Sequence, residues 1–134
     1  NMTKVYKMPV LMAFYNHGNV RMEVSEAELL ASWKEFFSTG TNWKDLEKEI
    51  TYEEYRKISD KNHIQKIMKM PVHFLLKSGE EFFVKKDGAA LALRDEMEEI
   101  VKEPVLAEQM KDVIEYRAMD YYRRRYKEKI KALL

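Results

Sequence analysis

The chain contains no cysteine. That excludes disulfide staples, thiolate nucleophiles and cysteine-based zinc sites, and it fits a reducing compartment. Glycine is scarce, four in all, and neither G-x-x-x-x-G-K-[ST] nor G-x-S-x-G occurs. ATP hydrolysis through a P-loop and acyl transfer from a nucleophile elbow are therefore excluded for these residues. An excess of charge of one sign is also missing: 24 basic residues face 23 acidic ones, so the molecule as a whole has no strong pull toward nucleic acid. No apolar run approaches the ~20 residues that span a bilayer, and no signal-like stretch opens the chain. The expectation is a cytoplasmic protein with no membrane partner.

What is present suits one domain. A length of 134 residues is enough for a real core, and the apolar content argues against disorder. The Asn-Met start is read as that of a fragment cut from a larger protein. The patterning predicts an α+β, mainly helical fold with a winged-helix-like centre, an N-terminal β-hairpin and a long C-terminal helix.

Val5 to Val24 reads as the hairpin, with PVLMAFY and VRMEV flanking the turn Asn16-His17-Gly18-Asn19. Ser25 and Glu28 form a capping box ahead of Leu29, Leu30, Trp33, Phe36 and Phe37, the heaviest apolar stripe in the chain, which Gly40 ends. Asn42 is placed to cap a helix over Trp43 to Ile50. Thr51 with Glu54 makes a second capping box, and Asp60 is placed to cap a helix carrying Ile64, Ile67 and Met68. Pro71 disfavours helical geometry at Met70, which predicts a corner and a new short helix up to Gly79. Phe82–Lys86 and Ala89–Leu93 then flank Asp87-Gly88 as a wing, completing a winged-helix-like unit over about 60–93. Arg94 or Asp95 starts a helix through Val101, Glu103-Pro104 makes a second corner, and the last helix runs from Val105 to about Leu134.

Few groups converge for chemistry. His17, His63 and His73 lie in a turn, on a helix flank and in the short helix, and each reads as a surface or capping residue, not a ligand. Asp112, Glu115 and Arg117 superficially suggest a metal-dependent nuclease, but they sit in a predicted helix and read as a solvated face. The run Asp95, Glu96, Glu98 and Glu99 complements a helix N-terminus and needs no function. No catalytic residue, metal site or cofactor is expected in this chain.

Cations are better placed. Lys85 and Lys86 fall at the wing tip, with Lys77 just before it, where phosphate contact and edge protection both explain them. Arg123, Arg124 and Arg125 are interleaved with tyrosines, and from Pro104 onward eight basic residues face five acidic ones, against five and eight over 71–103. Phosphate binding with stacking and complementation of a helix C-terminus both account for the cluster. The same helix carries a second apolar stripe of Met119, Tyr122, Tyr126, Ile130 and Leu133, spaced as a helix–helix seam.

Four phrases in order, PVLMAFY, SWKEFF, HFLLKSGEEFF and MKDVIEYRAMDYYRRRY, resemble the C-terminal accessory region of bacterial DEAD/DEAH-box helicase-like proteins, some of them restriction- or defence-associated. The resemblance spans nearly the whole chain. It implies an ATP-binding helicase motor upstream, outside these residues, and a non-catalytic accessory domain here that contacts DNA or RNA phosphates or positions a neighbouring domain. Lys77, Lys85, Lys86 and Arg123 to Arg125 would then be the phosphate contacts. The alternatives are a protein-interaction or self-association module built on Met119, Tyr122, Tyr126, Ile130 and Leu133, and a free-standing winged-helix regulator.

Overall fold

The protein was examined as a computed structural model, which describes residues 2–16, 19–47, 49–103, 105 and 108. Over these the fold is mainly helical, with a small three-stranded antiparallel sheet. The Arg123–Arg125 cluster, the stripe from Met119 to Leu133 and the expected long final helix lie outside the described residues.

The first element corrects the sequence reading. Helix α1 covers Met2–Phe14, so PVLMAFY is helical up to Phe14, and the N-terminal hairpin shrinks to β1 (Tyr15–Asn16) against β2 (Asn19–Val20). The physical reason is the period of burial. Val5, Tyr6, Pro9, Val10, Ala13 and Phe14 are buried, a spacing of one turn that an extended strand cannot satisfy. Read from Pro9 alone the run looks uniformly apolar; Val5 and Tyr6 supply the missing repeat. Pro9 gives up an intrahelical N–H, and its carbonyl accepts from Ser32 Oγ at 2.6 Å, tying α1 to its neighbour.

That neighbour is α2 (Glu26–Ser38). Its predicted cap forms as expected: Glu28 N donates to Ser25 Oγ at 3.1 Å, and Ser25 N donates to Glu28 Oε1 at 2.9 Å. Leu29, Trp33, Phe36 and Phe37 are buried and build the centre of the core. Trp33 and Phe37 rings lie 4.7 Å apart, and Tyr6 of α1 lies 5.6 Å from Trp33.

Downstream of Gly40 the expected helix over 43–50 is reduced to a 3-10 turn, Asn42–Asp45. Asn42 does not cap it. Its side-chain amide instead donates to the Phe36 carbonyl at 2.8 Å, closing the end of α2. Helix α3 is short, Tyr52–Arg56, and Thr51 Oγ1 caps it by accepting from Glu54 N at 3.1 Å. The Glu54 carboxylate accepts from the Thr51 hydroxyl at 3.0 Å and not from its backbone N–H, so half of the expected capping box forms.

The second correction falls at Pro71. Helix α4 (Asp60–Ile67), capped by Ser59 one residue earlier than expected, runs through a π-helical turn (Met68–Val72) directly into α5 (His73–Ser78). No corner forms at Met70. Proline lacks the donor that an α-helix needs and its ring crowds the carbonyl four residues back. The wider π turn, bonded i to i+5, accommodates both defects without breaking the helix.

Gly79 stops the helix, and its lack of a side chain is needed there. A Cβ would sit 2.7 Å from the Leu75 carbonyl oxygen and 3.1 Å from the Phe83 ring. Strands β4 (Phe83–Val84) and β5 (Leu91–Leu93) form an antiparallel hairpin, and β3 (Glu23–Val24) joins on the far side of β5, giving the order β3-β5-β4. The register pairs Val24 with Leu91 and Phe83 with Leu93. Gly88 at the tip has φ +82°, and Ala89 N donates to the Lys86 carbonyl across it at 3.2 Å. Phe14 and Phe83 rings, 5.7 Å apart, join the sheet to the helical core. A 3-10 turn (Asp95–Met97) and α6 (Glu98–Val101) follow, and no helix among the described residues is long and apolar enough to cross a membrane.

Candidate functional site

Because the helix is continuous over residues 60–78, its outer face is much longer than the sequence reading allowed. Lys61, Gln65, Lys69, His73 and Lys77 follow one another at four-residue intervals, and all five are exposed. His63, Ile67, Pro71 and Leu75, at the same interval, are all buried. An unbroken α-helix would carry such a series round its axis by about 40° per step. The π turn winds more slowly and takes back part of that rotation. The result is a polar, cationic stripe about 24 Å long, set opposite a buried apolar line.

Its cations are available. Lys61, Lys69 and Lys77 make no ion pair with any of the described residues. Carboxylates bound the stripe at its two ends: Asp60, which Lys34 holds at 2.9 Å, and Glu80 and Glu81 beyond Gly79.

The predicted wing cations divide. Lys85 is exposed and without an ion pair among the described residues. Lys86 Nζ lies between two carboxylates, 3.9 Å from Glu23 and 3.7 Å from Asp95, so its charge is locally offset. Such long, exposed pairs add little stability. Lys61, Lys69, Lys77 and Lys85 are thus the cations of the long helix and the β4–β5 hairpin that make no ion pair among the described residues. Arg123, Arg124 and Arg125 are not among the described residues, and neither is the stripe Met119, Tyr122, Tyr126, Ile130 and Leu133.

Sequence reasoning found Lys77 but missed Lys61, Gln65 and Lys69. The signal was present in the repeat of apolar residues from Ile67 to Leu75 in step with His63. A corner at Pro71 cuts that repeat in two and separates Lys77 from Lys61, Gln65 and Lys69.

His63 is the other departure. It is 3% exposed, the one buried polar or charged side chain among the described residues, where a surface or capping role was expected. Trp33 Nε1–H donates to His63 Nδ1 at 3.1 Å, which fixes the neutral tautomer with its proton on Nε2. Burial lowers its pKa, assisted by the positive charges of Lys34 and Lys66 and opposed by Asp60. Nearby, Lys66 Nζ donates to the Leu46 carbonyl at 2.9 Å and stands 5.4 Å from the Tyr6 ring centroid, and Tyr6 Oη donates to the same carbonyl. Lys66 is thus a tether and not part of the free stripe.

No group of three or more His, Asp or Glu side chains among the described residues is placed to hold a metal ion. Comparisons with protein-family models, with curated proteins and with solved structures gave no match to this chain.

Proposed function

We propose that this domain is a non-catalytic nucleic-acid-contacting module that serves an ATP-driven DEAD/DEAH-type motor elsewhere in its parent protein, holding phosphates along the helix over residues 60–78. The observation that carries the reading is the straight stripe Lys61, Gln65, Lys69, His73 and Lys77, with cations unpaired among the described residues. Lysines along one face of a helix suit phosphate oxygens, and contacts of that kind position a strand without reading its sequence. Lys85 extends the contact onto the wing, and Arg123, Arg124 and Arg125 belong to the same proposal from the sequence alone.

Support for a winged-helix-like centre comes from the order of elements. Strand β3, helices α2 and α3, the long helix over 60–78 and the β4–β5 hairpin follow one another, with β3 lying beside β5 in the order β3-β5-β4. The family resemblance supplies the motor, and with it a cytoplasmic setting and a role that needs no cofactor in these residues.

The test is fluorescence anisotropy of labelled DNA and RNA oligonucleotides across a salt series. The four lysines alone give a log–log slope of about −3 on a single strand, and with Arg123, Arg124 and Arg125 also engaged it steepens to about −5. Absence of binding at low salt, or a flat response to salt, overturns the reading.

A second reading, docking on a neighbouring domain or a second copy, is favoured by Phe74 at 40% and Phe82 at 48% exposure, large apolar side chains beside the stripe's end. The self-association seam Met119, Tyr122, Tyr126, Ile130 and Leu133 belongs to this reading. A strict monomer by light scattering, in wild type and in Tyr126→Glu alike, removes self-association.

A further inference from the structure

Beside the first half of the stripe lies an open depression of about 320 Å³, at the small end of ligand-binding pockets. Its apolar walls are Leu46 and Ile58, and Asn62, Gln65 and Lys69 stand on its helical side. Gln65 and Lys69 therefore belong both to the stripe and to the depression, so a strand following the stripe passes over its mouth.

The polar groups there match one ligand class. Asn62 and Gln65 are primary amides, each offering a donor and an acceptor side by side, the pairing that binds the edge of a nucleobase in a bidentate manner. The imidazole of His63 also lines the depression. Its Nδ1 is occupied by Trp33, so Nε2 is left as a donor, and no described residue accepts from it. Glu47 on the rim disfavours a bare anion inside, and Lys66 is already committed to the Leu46 carbonyl and, at 3.5 Å, to Glu47. A flat, neutral ligand with a hydrogen-bonding edge fits beside Glu47, with the phosphate attached to it held at the mouth by Lys69. A depression of about 320 Å³ has room for a single base.

We infer that this depression receives one unstacked nucleobase from a single strand whose phosphates follow Lys61, Lys69 and Lys77. The inference rests on the nucleic-acid reading above. A duplex keeps its bases stacked and paired, so single strands are the favoured substrate, and the edge contacts made by Asn62 and Gln65 add to what the phosphates supply.

The test compares four probes by anisotropy or competition: a single-stranded oligonucleotide, the same backbone made fully abasic, the corresponding duplex, and adenosine monophosphate. Each is measured with wild type and with the Asn62→Leu/Gln65→Leu variant, whose two positions are both exposed. The expected result is about tenfold tighter binding of the base-bearing strand than of either the abasic strand or the duplex. In the variant the ratio of base-bearing to abasic strand falls to about one, with the salt slope retained. Equal binding of abasic and base-bearing strands with a steep salt slope overturns the base pocket and leaves the phosphate reading standing. A base preference that survives in the variant also overturns the pocket, because the base is then held elsewhere. Binding of adenosine monophosphate without binding of any strand overturns both in favour of a free nucleotide, and no binding of any probe overturns both outright.

Discussion

Trp33 Nε1–H donates to His63 Nδ1 across 3.1 Å in the interior of the domain, joining α2 to α4 through a polar contact with both partners buried. The contact requires a neutral imidazole, since a protonated Nδ1 has no lone pair to accept the indole proton.

The domain should therefore lose stability in mild acid. The folded pKa of His63 lies below its ordinary value of 6.5, so the unfolded chain binds more protons between the two values and stability rises with pH there. The contribution is complete above pH 6.5 and declines as pH falls toward the folded pKa. Urea midpoints at pH 7.5 and 5.5 should differ in wild type, with the lower one at pH 5.5, and the difference should shrink in His63→Leu.

Trp33→Phe leaves His63 Nδ1 buried without a donor. That should cost about 1–3 kcal/mol for the unsatisfied acceptor, beyond the loss of packing volume. Chemical denaturation of the variant beside Trp33→Leu and His63→Leu separates the two parts.

The Ser25–Glu28 capping box should be visible in a lower pH range. The Ser25 backbone N–H is the main group holding the Glu28 carboxyl below its usual 4.5, with the Ser25 hydroxyl and Arg21 adding to it. The stabilisation is complete above about that value and is lost as pH falls through the folded pKa. Ser25→Ala should cost about 1 kcal/mol at neutral pH, and Glu28→Gln should be less stable than wild type at neutral pH by a difference that narrows below pH 4. Thermal unfolding of wild type and both variants across that range checks it.

The two turn glycines should respond differently to alanine. Gly79→Ala drives a Cβ to 2.7 Å from a backbone oxygen and should cost about 1–3 kcal/mol, as overpacking does. Gly88→Ala meets open space but must hold φ +82°, at about 1–2 kcal/mol. Hydrogen exchange should show the first loosening the end of α5 as well as the wing, and the second loosening the wing alone.

Local signals were legible in the sequence where one short-range interaction decided the outcome. The Ser25–Glu28 and Thr51 caps and the apolar stripe of α2 depend on residues three or four apart, and the β4–β5 hairpin on the turn at Asp87-Gly88. The chain was misread where tertiary packing outweighed local preference. A strand assignment for PVLMAFY followed from its apolar run, while helix α1 is set by what Val5, Tyr6 and Phe14 pack against. Pro71 disfavours an α-helix locally, but Ile67 and Leu75 on either side of it share one buried line, and the helix widens instead of turning. His63 read as a surface residue because its partner, Trp33, is thirty positions away. The missing half of the candidate stripe followed from the Pro71 error, since Lys61, Gln65 and Lys69 align with Lys77 only when the helix is unbroken.

The most direct measurement is the salt dependence of single-stranded DNA binding by wild type, by Lys69→Gln/Lys77→Gln, and by Lys102→Gln, whose lysine lies off the stripe and pairs with Glu98 and Glu99. Each phosphate contact removed should flatten the log–log slope by about 0.7. The double stripe variant should therefore bind more weakly at every salt concentration, with a slope shallower by about 1.4, while Lys102→Gln follows wild type. A slope unchanged in Lys69→Gln/Lys77→Gln, or changed as much in Lys102→Gln, would contradict the assignment of the helix over residues 60–78 as the phosphate-binding face.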